Sequence, residues 1–179
     1  RMESVDQAQC IDGLVRCVYR NATCAATSRP CVYGNVDVET ALAVSSDTFF
    51  YRIGELIMST NDNQPILQQE VRKFGFGSDP GIALPYAFDG TVPDAALKAE
   101  YGKRGVIAES EAGGYFTGDN VQVAIGQGLL SASPLQLAIG YSAIANRGYV
   151  LKPEIIRAIY QPGVPDAAVQ GYADLTQAN

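Results

Sequence analysis

Histidine is absent from all 179 residues, and so is tryptophan. Without an imidazole, the chain's own residues cannot form a Ser-His-Asp triad, a Cys-His pair or an HExxH zinc helix. Basic residues are scarce: 13 Lys and Arg against 19 Asp and Glu leave a net charge of −6. That balance denies the chain the basic face that binds phosphate backbones, so no nucleic-acid partner is expected. No apolar run approaches the roughly 20 residues of a membrane span. Glycine (18) and proline (9) are too few for a low-complexity or collagen-like chain. Charged residues make up only 18% against 47% apolar, which excludes intrinsic disorder. The length suits one domain, or most of one, with a sizeable core. Nucleotide fingerprints are missing too. There is no Walker loop, Gly75-Phe76-Gly77 follows a helical pattern, and Gly126-Gln127-Gly128 is too short and reads as a tight turn. No cofactor or metal is expected.

What is present begins with four cysteines, Cys10, Cys17, Cys24 and Cys31, spaced seven apart. The positions three after them are Gly13, Arg20 and Thr27, which are not apolar, so a coiled-coil heptad fails. Six residues between successive cysteines are too many for a zinc knuckle. Two disulfides in an oxidising compartment are the better reading, with four reduced thiols in a cytosolic protein as the alternative. Three connectivities are open; Cys10–Cys17 across a turn at Asp12-Gly13, with Cys24–Cys31, is preferred. Asn21-Ala22-Thr23 fits a glycosylation sequon, a pattern too short to weigh. Arg1-Met2-Glu3 follows no apolar leader, and 172–179 is polar with no element to pack, so either a small mature domain or a piece of something larger is expected.

Residues 5–20 read as a short hairpin and 21–36 as loop. Asp37 can cap a helix over 38–44, interrupted by Ser45-Ser46-Asp47. A second helix comes next, with Phe49, Phe50, Ile53, Leu56 and Ile57 on one face and Arg52 and Glu55 on the other. A third begins at Asp62 or Asn63, with Pro65 in its first turn, and runs to about Lys73. Residues 75–95 read as a long loop, 95–103 as a helix and 105–119 as mostly loop. Ser133-Pro134 opens the clearest helix, ending near Asn146. It is apolar nearly all round, which predicts burial at the centre of a domain. Pro153–Tyr160 reads as a short strand or helix.

Ser45-Ser46-Asp47 is the most suspicious feature for chemistry. In the plain reading Asp47 caps the second helix and the serines turn the corner. In the functional one, Ser45 and Asp47 lie two apart in non-helical backbone and point into one cavity, whereas on a helix they would diverge by about 200°. A hydroxyl beside a carboxylate can relay a proton, but needs a nucleophile and a cation from elsewhere. Neither Ser-x-x-Lys nor Lys-Thr/Ser-Gly occurs; Lys73-Phe74-Gly75 has the wrong middle residue.

At this point a family fits. The stretch 38–51, centred on Ser45-Ser46-Asp47, resembles the second active-site motif of class B penicillin-binding proteins. Lys73-Phe74-Gly75-Phe76-Gly77 and Gly81-Ile82-Ala83-Leu84-Pro85 are similar to the stretch downstream of that motif in the family. Gly118-Asp119-Asn120, Ala124-Ile125-Gly126-Gln127-Gly128 and Ser133-Pro134-Leu135-Gln136-Leu137-Ala138 continue the match in order. The family's transpeptidase domain carries Ser-x-x-Lys, Ser-x-Asn/Asp and Lys-Thr/Ser-Gly. Only the middle motif is here, with Asp47 in place of the commoner Asn, as in elongation-type members. The resemblance implies that the other two lie before Arg1 and beyond Asn179. It implies a mainly helical subdomain of the α/β (α+β) fold of penicillin-binding proteins and serine β-lactamases. Residues 1–36 would be a Cys-rich hairpin and loop segment, and 37–179 a partial, mostly helical transpeptidase domain. It further implies a parent D,D-transpeptidase acting on peptidoglycan stem peptides and β-lactams, with Ser45 and Asp47 as its catalytic residues here and this chain inactive alone. The parent would be anchored at the outer face of the bacterial plasma membrane among cell-wall elongation partners. A non-catalytic secreted helical binding module is the alternative, and an unrelated disulfide domain a third. A helix stripped of its covering strands would also drive self-association.

Overall fold

The computed structural model describes residues 2–4, 7–9, 18–21, 33–62, 64–82 and 85–155. All four cysteines, and hence the expected disulfides, lie outside these residues. Among them the chain is helical, with little strand. Strands β1 (Met2–Ser4), β2 (Gln7–Gln9), β3 (Val18–Arg20) and β4 (Gly34–Val36) make two two-stranded antiparallel sheets. β2 pairs with β3, Gln7 opposite Arg20, as a hairpin over 5–20 requires. β1 pairs with β4, Met2 opposite Val36, so the end of the expected loop is a strand instead. Three residues are too few for an alternation to show; only the long-range pairing reveals them.

Among the described residues six helices come next: α1 (Val38–Ala43), α2 (Asp47–Thr60), α3 (Ile66–Lys73), α4 (Ala95–Lys103), α5 (Thr117–Val123) and α6 (Pro134–Ala145). Their caps explain most boundaries. The Asp37 carboxylate accepts the Thr40 amide at 3.0 Å, and Asp94 accepts that of Leu97 at 2.9 Å. Ser133 and Gln136 satisfy each other's amides in a capping box, with Pro134 at the first helical position. α3 starts later than expected, because Pro65 occupies the capping position.

α2 is the central element. Phe49 joins Val36 and Ala41 in a buried cluster, flanked by Phe50 and Ile53. Its most extensive packing is on α5, and it also meets α3, β1 and β3. Gly54 makes the α5 contact possible: a Cβ there would lie 3.0 Å from the Asn120 carbonyl oxygen and 3.1 Å from the Ala124 Cβ. Enclosure from several sides corrects the two-faced reading of this helix. Glu55, expected outside, is 1% exposed and accepts Arg52 Nη1 at 2.9 Å, while Leu56 is exposed.

α6 departs from expectation in the other direction. Gln136, Ile139, Gly140 and Ala143 are buried, but Leu137, Tyr141 and Ile144 are 47%, 73% and 68% exposed. It is therefore a surface helix among the described residues, not a central one. Its inner face holds the long loop. The Gln136 amide donates to the carbonyls of Ser78 at 3.0 Å and Asp89 at 2.6 Å. Thr91 and Ser131 bridge the loop's far end by reciprocal backbone bonds.

Candidate functional site

Helix α1 ends in a Schellman turn. The Ser46 amide donates to the Ala41 carbonyl at 2.9 Å and the Ser45 amide to that of Leu42 at 3.2 Å. The geometry demands a left-handed residue at position 45, where glycine is the usual occupant. This chain has a serine there, at φ 54°. A β-carbon in that conformation costs roughly 1–2 kcal/mol, so the corner stores strain to present a hydroxyl.

Two residues on, α2 begins. Its capping position is held by Ser46, and Asp47 is the first helical residue, which corrects the reading of Asp47 as the cap. A side chain from far upstream reaches this terminus. Asn21, buried, accepts the Thr48 amide through Oδ1 at 2.9 Å. That buried role also sets the sequon at Asn21 aside. The Ser46 hydroxyl is buried and lies 3.4 Å from that of Thr48. Asp47 is half-buried, and its charge is favoured at the positive end of the helix. One turn on, burial and then the Asp47 carboxylate push the Tyr51 phenol above its ordinary value, so it stays protonated at neutral pH.

Ser45 and Asp47 line one cavity of about 280 Å³, open to the surface. Leu42 and Phe50 form part of its wall, as do Ala124 and Ile125, just past α5. Ser46, between the two, also lines the cavity although it is buried.

The placement of α5 therefore matters, and two polar clusters secure it, one around buried Asn120 and one partly buried around Lys98. Asn120 donates to the Gly54 carbonyl at 2.8 Å and accepts the Gln68 amide at 3.0 Å, tying α5 to α2 and α3. Tyr115 joins through its hydroxyl, which bonds to the Gln68 amide and lies 3.3 Å from Asn120 Oδ1. Burial, then the Asp119 carboxylate, push the Tyr115 phenol upward. Lys98, almost fully buried on α4, donates to Asp119 Oδ2 at 2.6 Å. Sequence reasoning placed 105–119 in loop and missed both clusters; the signal was Asp119 three residues after Phe116, whose amide it accepts at 2.8 Å.

No group of three or more potential metal ligands occurs among the described residues.

Known proteins resemble this chain in sequence and fold. The sequence model described as the penicillin binding protein transpeptidase domain matches residues 19–179. The peptidoglycan D,D-transpeptidase MrdA of Acinetobacter baumannii is 31% identical over 128 residues, which cover 72% of this chain and 17% of that relative. The crystal structure of Pseudomonas aeruginosa PBP2 in complex with WCK 5153 superposes with a TM-score of 0.65 at 25% identity, over 92% of this chain and 33% of that one. PBP2 of Helicobacter pylori, in its complex with MreC, gives 0.63 at 27% identity, over 86% and 24%. The chain thus spans about a sixth of the curated relative and a quarter to a third of the solved chains.

Proposed function

Because the chain belongs to the penicillin-binding-protein transpeptidase family, we propose that its parent cross-links peptidoglycan stem peptides by serine acyl transfer. Ser45 and Asp47 are the Ser-x-Asp element of that reaction centre. The observation that carries this reading is their convergence on one open cavity, with Ser45 held in a strained left-handed turn. Strain of this kind collects at functional sites, where a particular side chain is worth its cost.

The 179 residues contain neither Ser-x-x-Lys nor Lys-Thr/Ser-Gly, so the nucleophile, its Lys base and the strand lining the cleft come from parts of the parent outside them. The nucleophilic oxygen attacks the penultimate D-alanyl carbonyl. The peptide C–N bond breaks, and the terminal D-alanine leaves with a proton. A free amine of a second stem then takes the acyl group. The Ser45 hydroxyl, as donor and acceptor, passes the proton between the Lys and the leaving amine. Asp47 holds the Lys by a charged hydrogen bond. A β-lactam acylates the same nucleophile because its amide resembles the dipeptide.

The parent works outside the cytoplasm, anchored to the plasma membrane, with an elongation partner of the MreC kind. Among the described residues, no helix is long and apolar enough to cross a membrane. The test is labelling with a fluorescent penicillin. The full-length parent takes up label and the isolated chain takes up none. A parent that stays unlabelled overturns the transpeptidase reading; covalent label on the chain overturns the placement of the nucleophile.

A further inference from the structure

A second cavity, about 590 Å³, lies beyond α5 from α2. Gly118, Asp119 and Gln122 of α5 line it, whereas Asn120, Val121 and Val123 are buried. Its chemistry is unusual for a surface hollow. Lys98 lines it yet is only 3% exposed. An ammonium has three N–H donors. One donates to Asp119 Oδ2, and the group sits 4.9 Å from the centre of the Phe116 ring. The other two have no hydrogen-bond acceptor among the described residues. Asp119 mirrors this: the Lys98 ammonium and the Phe116 amide both bond to Oδ2, leaving Oδ1 open. Phe116 is 52% exposed, and Ser110, Glu111 and Gln122 add exposed polar groups around it.

A wall with spare donors beside spare acceptors matches hydroxyl and acetamido groups, which donate and accept at once. A free anion would meet Asp119 and Glu111, whose like charges repel it. A purely apolar ligand would leave the buried ammonium's donors unpaired. An aromatic face beside such groups suits the C–H face of a pyranose ring, and the volume is in the range of small-ligand sites. We infer that this cavity is a subsite for an acetylated amino sugar of the peptidoglycan glycan strand. The inference rests on the proposed function for the identity of the sugar. It makes the glycan, as well as the stem peptide, a determinant of substrate position, since a sugar held here bears on α5, which leads into Ala124 and Ile125 beside Ser45.

All the lining residues belong to this chain, so binding can be read without the nucleophile. The probe is a soluble β-1,4-linked tetramer of N-acetylglucosamine, titrated into the isotope-labelled chain and followed by amide NMR. The expected result is saturable shifts of Phe116, Gly118 and Gln122 at millimolar sugar, with at least fivefold weaker binding in Phe116→Ala and Gln122→Ala. Both side chains are exposed, and the backbone spectrum checks that each variant is folded. Absence of saturable shifts up to tens of millimolar overturns the inference, as does undiminished binding in both variants. Failure here leaves penicillin labelling of the parent unaffected, so the two readings fail separately.

Discussion

Asn21 and Thr48, 27 residues apart, are joined by a 2.9 Å hydrogen bond that caps helix α2 from outside its own segment. Both residues are buried. Asn21→Ala removes the side-chain acceptor that caps this buried terminus, at a cost of about 2 kcal/mol. Asp47→Ala removes a charge favoured by the helix end, worth about 0.5 kcal/mol. Urea denaturation of the two variants is expected to rank them in that order. The reverse ranking would restore Asp47 as the cap.

Ser45→Gly separates stability from function. The left-handed strain disappears, while the unfolded chain gains some freedom, so a net stabilisation of about 0.5–1 kcal/mol is expected. In the parent, the same change removes the hydroxyl that passes the proton. Penicillin acylation should fall by roughly 10²-fold or more, the usual scale of general acid–base assistance. A variant that is both more stable and fully active would show that the hydroxyl does no chemistry.

Asn21 and Ser45 also mark what sequence can disclose. Local chemistry was legible: Asp37 and Ser133-Pro134 announce helix starts because a cap acts within three residues. The Ser45–Asp47 break was legible for the same reason. Asn21 was not, since nothing in a spacing of 27 residues links a side chain to an amide. α5 is seven residues long, too short for an apolar period to rise above its surroundings. Glu55 misled because periodicity reports one apolar face, while α2 is enclosed by α5, α3 and the strands. The exposed side of α6 misled in the opposite sense. Leu137, Tyr141 and Ile144 are apolar, but which of them finds cover depends on contacts no helical pattern contains.

Gly54 tests the link between packing and the site. A β-carbon there would press on the Asn120 carbonyl and the Ala124 side chain, forcing α5 away from α2. Overpacking of this kind costs typically about 1–3 kcal/mol. Because Ala124 and Ile125 wall the Ser45 cavity, Gly54→Ala in the parent is expected to slow acylation as well. Thermal unfolding of the chain and labelling rates of the parent read the two effects. An unchanged melting point would mean that the helices separate freely, contrary to the close approach.

Asp94 supplies a pH dependence whose sign can be worked out. Its partial burial raises its pKa, but the Leu97 amide and the Arg72 guanidinium, 2.5 Å away, outweigh this and hold the carboxyl below its ordinary value. The folded state therefore favours the ionised form. That contribution is fully present above the unfolded value, near pH ~4, and is lost as pH falls through the lower folded value. The pair also ties α3 to the cap of α4, and the same Arg72 nitrogen donates to the Val92 carbonyl at 3.0 Å in the preceding loop. Melting temperature measured from about pH 7 down to about pH 2.5 should fall in the acid range for the wild type. Asp94→Asn should start lower at neutral pH, because the amide cannot replace the charge, and fall less steeply in acid. Parallel curves for the two proteins would mean that Asp94 titrates alike in the folded and unfolded chain, so that the Arg72 contact carries no linkage.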